Sequence, residues 1–249
     1  MQPTILTTDS GVRFGSLNPL PNQPAPTIFM LAVDIETTLE GNYSLAGQIL
    51  ARRGYLCVTL DVPGHGQDAD PAEGNALVVW SHRIDCGETP ISDFAAKVSR
   101  VLDYLIANNH TDPDQVAVCG TSRGGFLAAH VAAADSRYGY TAQIAPVTDL
   151  RVLTEFQDAQ RPEAVEVVSL SNVAARLAGR PLWTLIGNYD QRVDTDSVIA
   201  FTRSVVRASV AAGLAPDVEL HVVTSEGHST PADTHEMVAN WLLARMNAR

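Results

Sequence analysis

The chain has 249 residues, 45% of them apolar and 18% charged, a composition that supports a sizeable buried core and excludes a disordered chain. Its 17 basic and 28 acidic residues give a net charge of −11, which repels nucleic acid and anionic membrane surfaces at long range. No apolar run approaches the roughly 18–20 residues that a membrane span needs. The expected partner is therefore a small molecule, with no nucleic acid and no membrane, while the oligomeric state is left open.

In chain order, Met1 to Asp9 lacks the basic start and long apolar core of a secretory signal, so a cytoplasmic location is expected. Residues 1–17 suggest one or two short strands around Asp9-Ser10-Gly11, and Pro19 to Pro26 reads as a proline-rich connector. From there short apolar runs alternate with segments of helical periodicity: a strand over Thr27 to Val33, a helix over Tyr43 to Arg53, and a strand over Tyr55 to Asp61. A helix over Ile91 to Asn108, a strand over Gln115 to Cys119, a helix over Gly124 to Ala134 and a strand over Tyr140 to Ala145 follow. Strands over Leu182 to Gly187 and Val218 to Thr224, with helices over Ser197 to Gly213 and Pro231 to Met246, complete the pattern. Such alternation predicts an α/β fold, a mainly parallel sheet covered by helices on both faces. Two stretches break the rhythm, Pro63 to Pro90 and Asp149 to Arg180. The second, with helix-like pieces around Leu150 to Gln157 and Leu170 to Ala178, is expected to be a small cap on a single domain.

The three cysteines, Cys57, Cys86 and Cys119, have no metal-type spacing. Cys57 and Cys119 lie in apolar runs and read as core residues, and Cys86 reads as a free thiol in a polar loop near His82.

The segment Gln115 to Cys119 runs directly into Gly120-Thr121-Ser122-Arg123-Gly124 and then into the helical run from Phe126. A G-x-S-x-G string is weak alone, but strand, tight turn and helix around it make the nucleophile elbow that lifts a serine hydroxyl above a sheet. A phosphate cradle would want lysine at the helix start, where this chain has none. Ser122 is the candidate nucleophile, and the Arg123 N–H at the helix N-terminus is a candidate oxyanion donor.

A serine hydroxyl needs a histidine to take its proton and a carboxylate to orient that histidine. In this fold the order is Ser, acid, His. His65, His82, His110 and His130 precede the acid in sequence, His221 lies inside a strand and His235 in the last helix, which leaves His228 as the base. For the acid, Asp190 follows the strand ending at Gly187 most closely, whereas Asp194 and Asp196 read as the N-cap region of the next helix. Asp149 is a competitor one strand earlier.

On these residues the chain resembles the α/β-hydrolase superfamily, in particular the prolyl-oligopeptidase-like and dienelactone-hydrolase-like serine esterases and peptidases. Gly187-Asn188-Tyr189-Asp190-Gln191-Arg192-Val193 resembles that branch's acid motif, and Gly227-His228 its histidine motif. Leu60 to Gly66 resembles the segment that ends the fourth strand, which implies that the strand from Thr27 is the third and that the sheet has about eight strands. Where relatives carry His-Gly at the end of the third strand, this chain reads Val33-Asp34-Ile35-Glu36, so the second oxyanion N–H is expected from Asp34 or Ile35.

The resemblance implies a serine hydrolase that cleaves carboxylic esters through an acyl-enzyme on Ser122, with no organic cofactor and no metal. Arg123, His82 and Asp149 are candidate contacts for a polar or carboxylated substrate, with a structural salt bridge as the competing role of Arg123. A small peptidase, thioesterase or lactonase would use the same three residues, and a noncatalytic binding protein on the same fold is the alternative of a different class.

Overall fold

The computed structural model describes residues 3–74 and 76–246. An antiparallel hairpin, β1 (Thr4–Thr7) and β2 (Arg13–Ser16), opens the chain. It turns at Gly11, which adopts the left-handed φ of +82° that glycine tolerates best. Met1 and Gln2, part of the segment expected to hold one or two short strands, lie outside the described residues. Then come β3 (Ala25–Leu31), α1 (Ile35–Leu39), α2 (Leu45–Ala51), β4 (Leu56–Thr59), α3 (Leu77–Asp85) and α4 (Pro90–Ala107). The second half holds β5 (Thr111–Thr121), α5 (Arg123–Ala134), β6 (Tyr140–Ile144), α6 (Pro162–Val167), β7 (Leu182–Gly187), α7 (Thr195–Ala211), β8 (Val218–Val223) and α8 (Thr234–Met246).

The strands form one sheet in the order β1-β2-β4-β3-β5-β6-β7-β8. β2 pairs antiparallel with both β1 and β4, and all pairs from β4 through β8 are parallel. This is the eight-stranded, mainly parallel α/β-hydrolase sheet, and the strand following the proline-rich connector is its third.

Side chains alternate across the pleat, so each central strand feeds two cores. Phe29 and Leu31 of β3, Leu56 and Val58 of β4, and Val116 and Val118 of β5 point to the layer that holds Trp80, Phe94 and Phe126. Ile28 and Met30, Cys57, and Ala117 and Cys119 point to the other, built on Leu50, Trp241 and Leu242. Both cysteines are buried, and burial pushes each thiol up to about 12. The buried Gln143 on β6 is satisfied: it donates to the Gly125 carbonyl at 2.8 Å and accepts from the Thr184 hydroxyl at 3.2 Å.

Several boundaries differ from the expected ones. β3 starts and ends two residues earlier, and β5 starts four residues earlier because Thr111 pairs with Ala25 and shares a buried hydroxyl contact of 2.8 Å with Thr27. The Pro63 to Pro90 stretch contains α3, whose buried Leu77, Trp80, Ser81 and Ile84 recur at helical spacing. In the 149–180 segment the expected helical pieces are short 3₁₀ turns at Leu150–Val152, Thr154–Phe156, Leu170–Asn172 and Ala174–Leu177, and its α-helix, α6, falls between them. No helix among the described residues is long and apolar enough to cross a membrane.

Candidate active site

β5 leads into α5 through Ser122, whose φ of +56° and ψ of −117° are strained for a residue with a side chain. Four backbone hydrogen bonds hold it there. Its N–H donates to the Ile144 carbonyl at 2.8 Å, and its carbonyl accepts from Gly125 (3.0 Å), Val147 (3.1 Å) and Phe126 (3.3 Å). The turn leaves no room for side chains beside it. A Cβ on Gly120 would lie 2.0 Å from the Gly124 carbonyl oxygen, and one on Gly124 would lie 1.8 Å from the Leu31 carbonyl oxygen.

Asp190 sits past the end of β7, its side chain fully buried. One carboxylate oxygen accepts the backbone N–H groups of Arg192 (3.0 Å) and Val193 (3.2 Å). The turn is fixed by Thr195, whose hydroxyl accepts the Asp190 N–H at 3.1 Å and donates to the Gly187 carbonyl at 2.7 Å. The other carboxylate oxygen lies 2.7 Å from Nδ1 of His228, in the loop after β8. Nε2 of the same ring lies 3.0 Å from Ser122 Oγ. Because the ionised carboxylate only accepts, Nδ1 carries the proton and Nε2 faces the serine hydroxyl as an acceptor. The His228 side chain keeps 30% exposure, so the ring is reachable from solvent while the carboxylate behind it is not.

Of the four aspartates weighed from the sequence, Asp190 is the one brought to His228. Asp194 caps α7 by accepting from the Ser197 N–H, and Asp196 lies in the first turn of that helix. Asp149 caps a 3₁₀ turn and pairs with Arg151 at 2.7 Å, so its carboxylate is tied into the 149–180 segment.

Ser122 opens into a pocket of about 230 Å³ whose walls include Tyr43, Leu77, Arg123, Arg192 and His228. His82, expected from sequence as a contact, lies on α3 outside this pocket, its Nε2 3.8 Å from Cys86 Sγ one turn later. Of the two residues expected to give the second oxyanion donor, Ile35 is committed elsewhere. The Ile35 N–H is taken by the Asp61 carboxylate at 2.8 Å, whereas the cap that Asp34 forms on α1, accepting from the Thr37 N–H at 2.7 Å, uses its side chain and not its own backbone N–H. Since β3 ends at Leu31, the residues that line the pocket there are Ala32 and Val33. Glu36 pairs with Arg13. The Arg123 N–H, first in α5, has no acceptor within its own helix.

Sequence reasoning did not single out Tyr43 or Arg192, and it set His65 aside. His65 Nε2 lies 2.7 Å from Arg123 Nη1, and its Nδ1 lies 3.0 Å from the Pro63 carbonyl. Burial, joined by the Arg123 charge, pushes its pKa below the usual value, against the pull of the Pro63 hydrogen bond. Among the described residues no cluster of three or more His, Cys, Asp or Glu is placed to hold a metal ion.

Comparison with known proteins places this geometry in a family. The chain is 24% identical over 197 residues to YtaP of Bacillus subtilis (strain 168), a protein provisionally named a hydrolase; the match covers 76% of this chain and 64% of that protein's length. Among solved structures, TT1662 from Thermus thermophilus superposes with a TM-score of 0.71 at 19% identity over 100% of both chains. A cold-adapted esterase from an Arctic intertidal metagenomic library gives 0.67 at 18%, covering 98% of this chain and 92% of that one. Dipeptidyl peptidase 4 of Porphyromonas gingivalis gives 0.69 at 18%, with 98% of this chain matching 35% of that larger one. At these identities the structural likenesses establish the α/β-hydrolase fold. The family model for the prolyl oligopeptidase family matches residues 42–247, and the chain belongs to that family.

Proposed function

We propose that this protein is a serine hydrolase that cleaves small carboxylic esters through an acyl-enzyme on Ser122. The observation that carries the reading is the unbroken line from Ser122 Oγ to His228 Nε2 (3.0 Å) and from His228 Nδ1 to Asp190 (2.7 Å). As Ser122 Oγ attacks the ester carbonyl carbon, its proton moves to His228 Nε2, and the imidazolium is held by the buried Asp190 carboxylate. The oxyanion of the tetrahedral intermediate accepts from the Arg123 N–H, helped by the positive end of α5, and from a second backbone N–H in the turn after β3, where the Val33 N–H is already given to the Thr38 hydroxyl at 3.2 Å and the Ile35 N–H to Asp61 at 2.8 Å. Collapse breaks the bond to the alcohol oxygen, which leaves with the proton from His228. Water then attacks the acyl-enzyme, giving its proton to His228, and the acid leaves as Ser122 recovers its hydrogen.

A pocket of about 230 Å³ favours short acyl groups, because drug-sized ligand sites run from roughly 300 to 1,000 Å³. Likeness to a cold-adapted esterase supports the ester class. Likeness to a dipeptidyl peptidase, together with the family itself, supports peptide hydrolysis as a second reading. A panel of p-nitrophenyl esters graded by acyl length, run beside dipeptide anilides and lactones, separates the two. Turnover highest on acetyl and butyryl esters is expected, and anilide turnover exceeding ester turnover would reverse the assignment.

A further inference from the structure

Arg123 contributes more to the pocket than its backbone N–H. Its half-buried guanidinium lines the same cavity as Ser122, and its Nη1 donates a hydrogen bond to His65. His65 is neutral in this arrangement: Nδ1 donates to the Pro63 carbonyl, leaving Nε2 as the acceptor for Arg123. The imidazole therefore orients the guanidinium without balancing its charge.

No carboxylate forms an ion pair with Arg123 among the described residues, and the acidic groups near Arg123 (Glu155) and near its partner His65 (Asp34 and Asp61) are committed elsewhere. Glu155 binds Arg192 at 2.5 Å through one oxygen and the Thr154 hydroxyl at 3.1 Å through the other. Both oxygens of Asp34 accept from Thr37. Asp61 accepts from Arg13, Ile35 and Gln67. Arg192, the other cation of the pocket wall, is thus neutralised by Glu155, and the cavity keeps one uncompensated positive charge. Partial burial of such a cation is costly unless something pairs with it, and a planar fork of N–H donors fits a carboxylate.

We infer that the Arg123 guanidinium receives a carboxylate of the substrate, so that the preferred esters are short ones bearing a negative charge near the scissile carbonyl. This rests on the acyl-enzyme reading above and narrows it. Net charge, −11 for the whole chain, argues for neutral partners at long range. At the pocket wall the local sign is reversed. The carboxylate belongs either to the acyl group or to the alcohol, and the two are told apart by substrate.

Four esters form the test. Monomethyl succinate carries the charge on the acyl side and is compared with methyl 4-methylpentanoate, in which an isopropyl group replaces the carboxylate. O-acetylglycolate carries it on the alcohol side and is compared with isobutyl acetate. The wild type is expected to show at least tenfold higher kcat/KM on one charged ester than on its neutral counterpart. Arg123→Gln is expected to remove that ratio, and Arg123→Lys to retain part of it. A second readout needs no turnover: millimolar succinate is expected to slow fluorophosphonate labelling of the wild type and to leave labelling of Arg123→Gln unaffected. Neutral esters cleaved as well as charged ones, with no protection by succinate, would overturn the inference while leaving the acyl-enzyme intact. The inference also fails if the preference survives in Arg123→Gln. Absence of any fluorophosphonate adduct on the wild type would remove the acyl-enzyme itself.

Discussion

His228 Nδ1 and Asp190 Oδ2 lie 2.7 Å apart, with the carboxylate fully enclosed and its second oxygen held by two backbone N–H groups. The ring is therefore held in one orientation and one tautomer, with Nε2 toward Ser122. Asp190→Asn tests this relationship. The amide can keep its oxygen on the Arg192 and Val193 N–H groups and turn its NH2 toward Nδ1. That moves the ring proton to Nε2, where it cannot accept from serine. A fall in kcat of about 10⁴-fold with unchanged circular dichroism is expected. A loss of less than tenfold would mean that Asp190 does not orient the ring.

Gly124→Ala tests the close approach of α5 to β3. Its Cβ would fall 1.8 Å from the Leu31 carbonyl oxygen, which is backbone and has little freedom to move. Overpacking of this kind costs on the order of 1–3 kcal/mol or more. The urea midpoint should fall and esterase turnover should fall with it, because the same shift displaces Ser122. Wild-type stability in this variant would contradict the packing described.

His130 on α5 supplies a pH dependence of stability. Its Nε2 donates to the Val168 carbonyl at 2.9 Å, and burial pushes its pKa down from 6.5 to about 4. The folded state therefore keeps the ring neutral between these values while the unfolded chain takes up a proton. The contribution is present above about pH 6.5 and is lost as pH falls toward 4, a loss on the order of 3 kcal/mol. His130→Gln, which retains a donor for Val168, should show a correspondingly shallower fall in denaturation free energy from pH 6.5 to 4. Parallel curves for the two proteins would contradict the assignment.

The parts of the fold legible in the sequence are those set by local pattern. The run from Gln115 through Ser122 to Phe126 states strand, turn and helix within a dozen residues, and the steric need for Gly120 and Gly124 is local too. The meeting of Asp190 with His228 followed from the order of elements, since each lies just past the carboxyl end of neighbouring parallel strands. What was missed depends on contacts distant in sequence. Thr111 extends β5 by pairing with Ala25, a residue far away in sequence. The commitment of the Ile35 N–H to the Asp61 carboxylate, from the loop after β4, likewise has no local signal. α3 was legible and overlooked: Leu77, Trp80, Ser81 and Ile84 carry its buried stripe. Nothing local to Arg123 announces that His65, from the loop after β4, is its partner in place of a carboxylate.

The rate of Ser122→Ala on an ester that the wild type hydrolyses bears most directly on the central claim. In the proposed mechanism the hydroxyl oxygen is the attacking atom, and its removal leaves the elbow's backbone hydrogen bonds in place. Loss of at least about 10⁴-fold in kcat/KM, with an unchanged urea midpoint, is the expected result. Hydrolysis by Ser122→Ala at the wild-type rate would contradict the assignment of Ser122 as nucleophile.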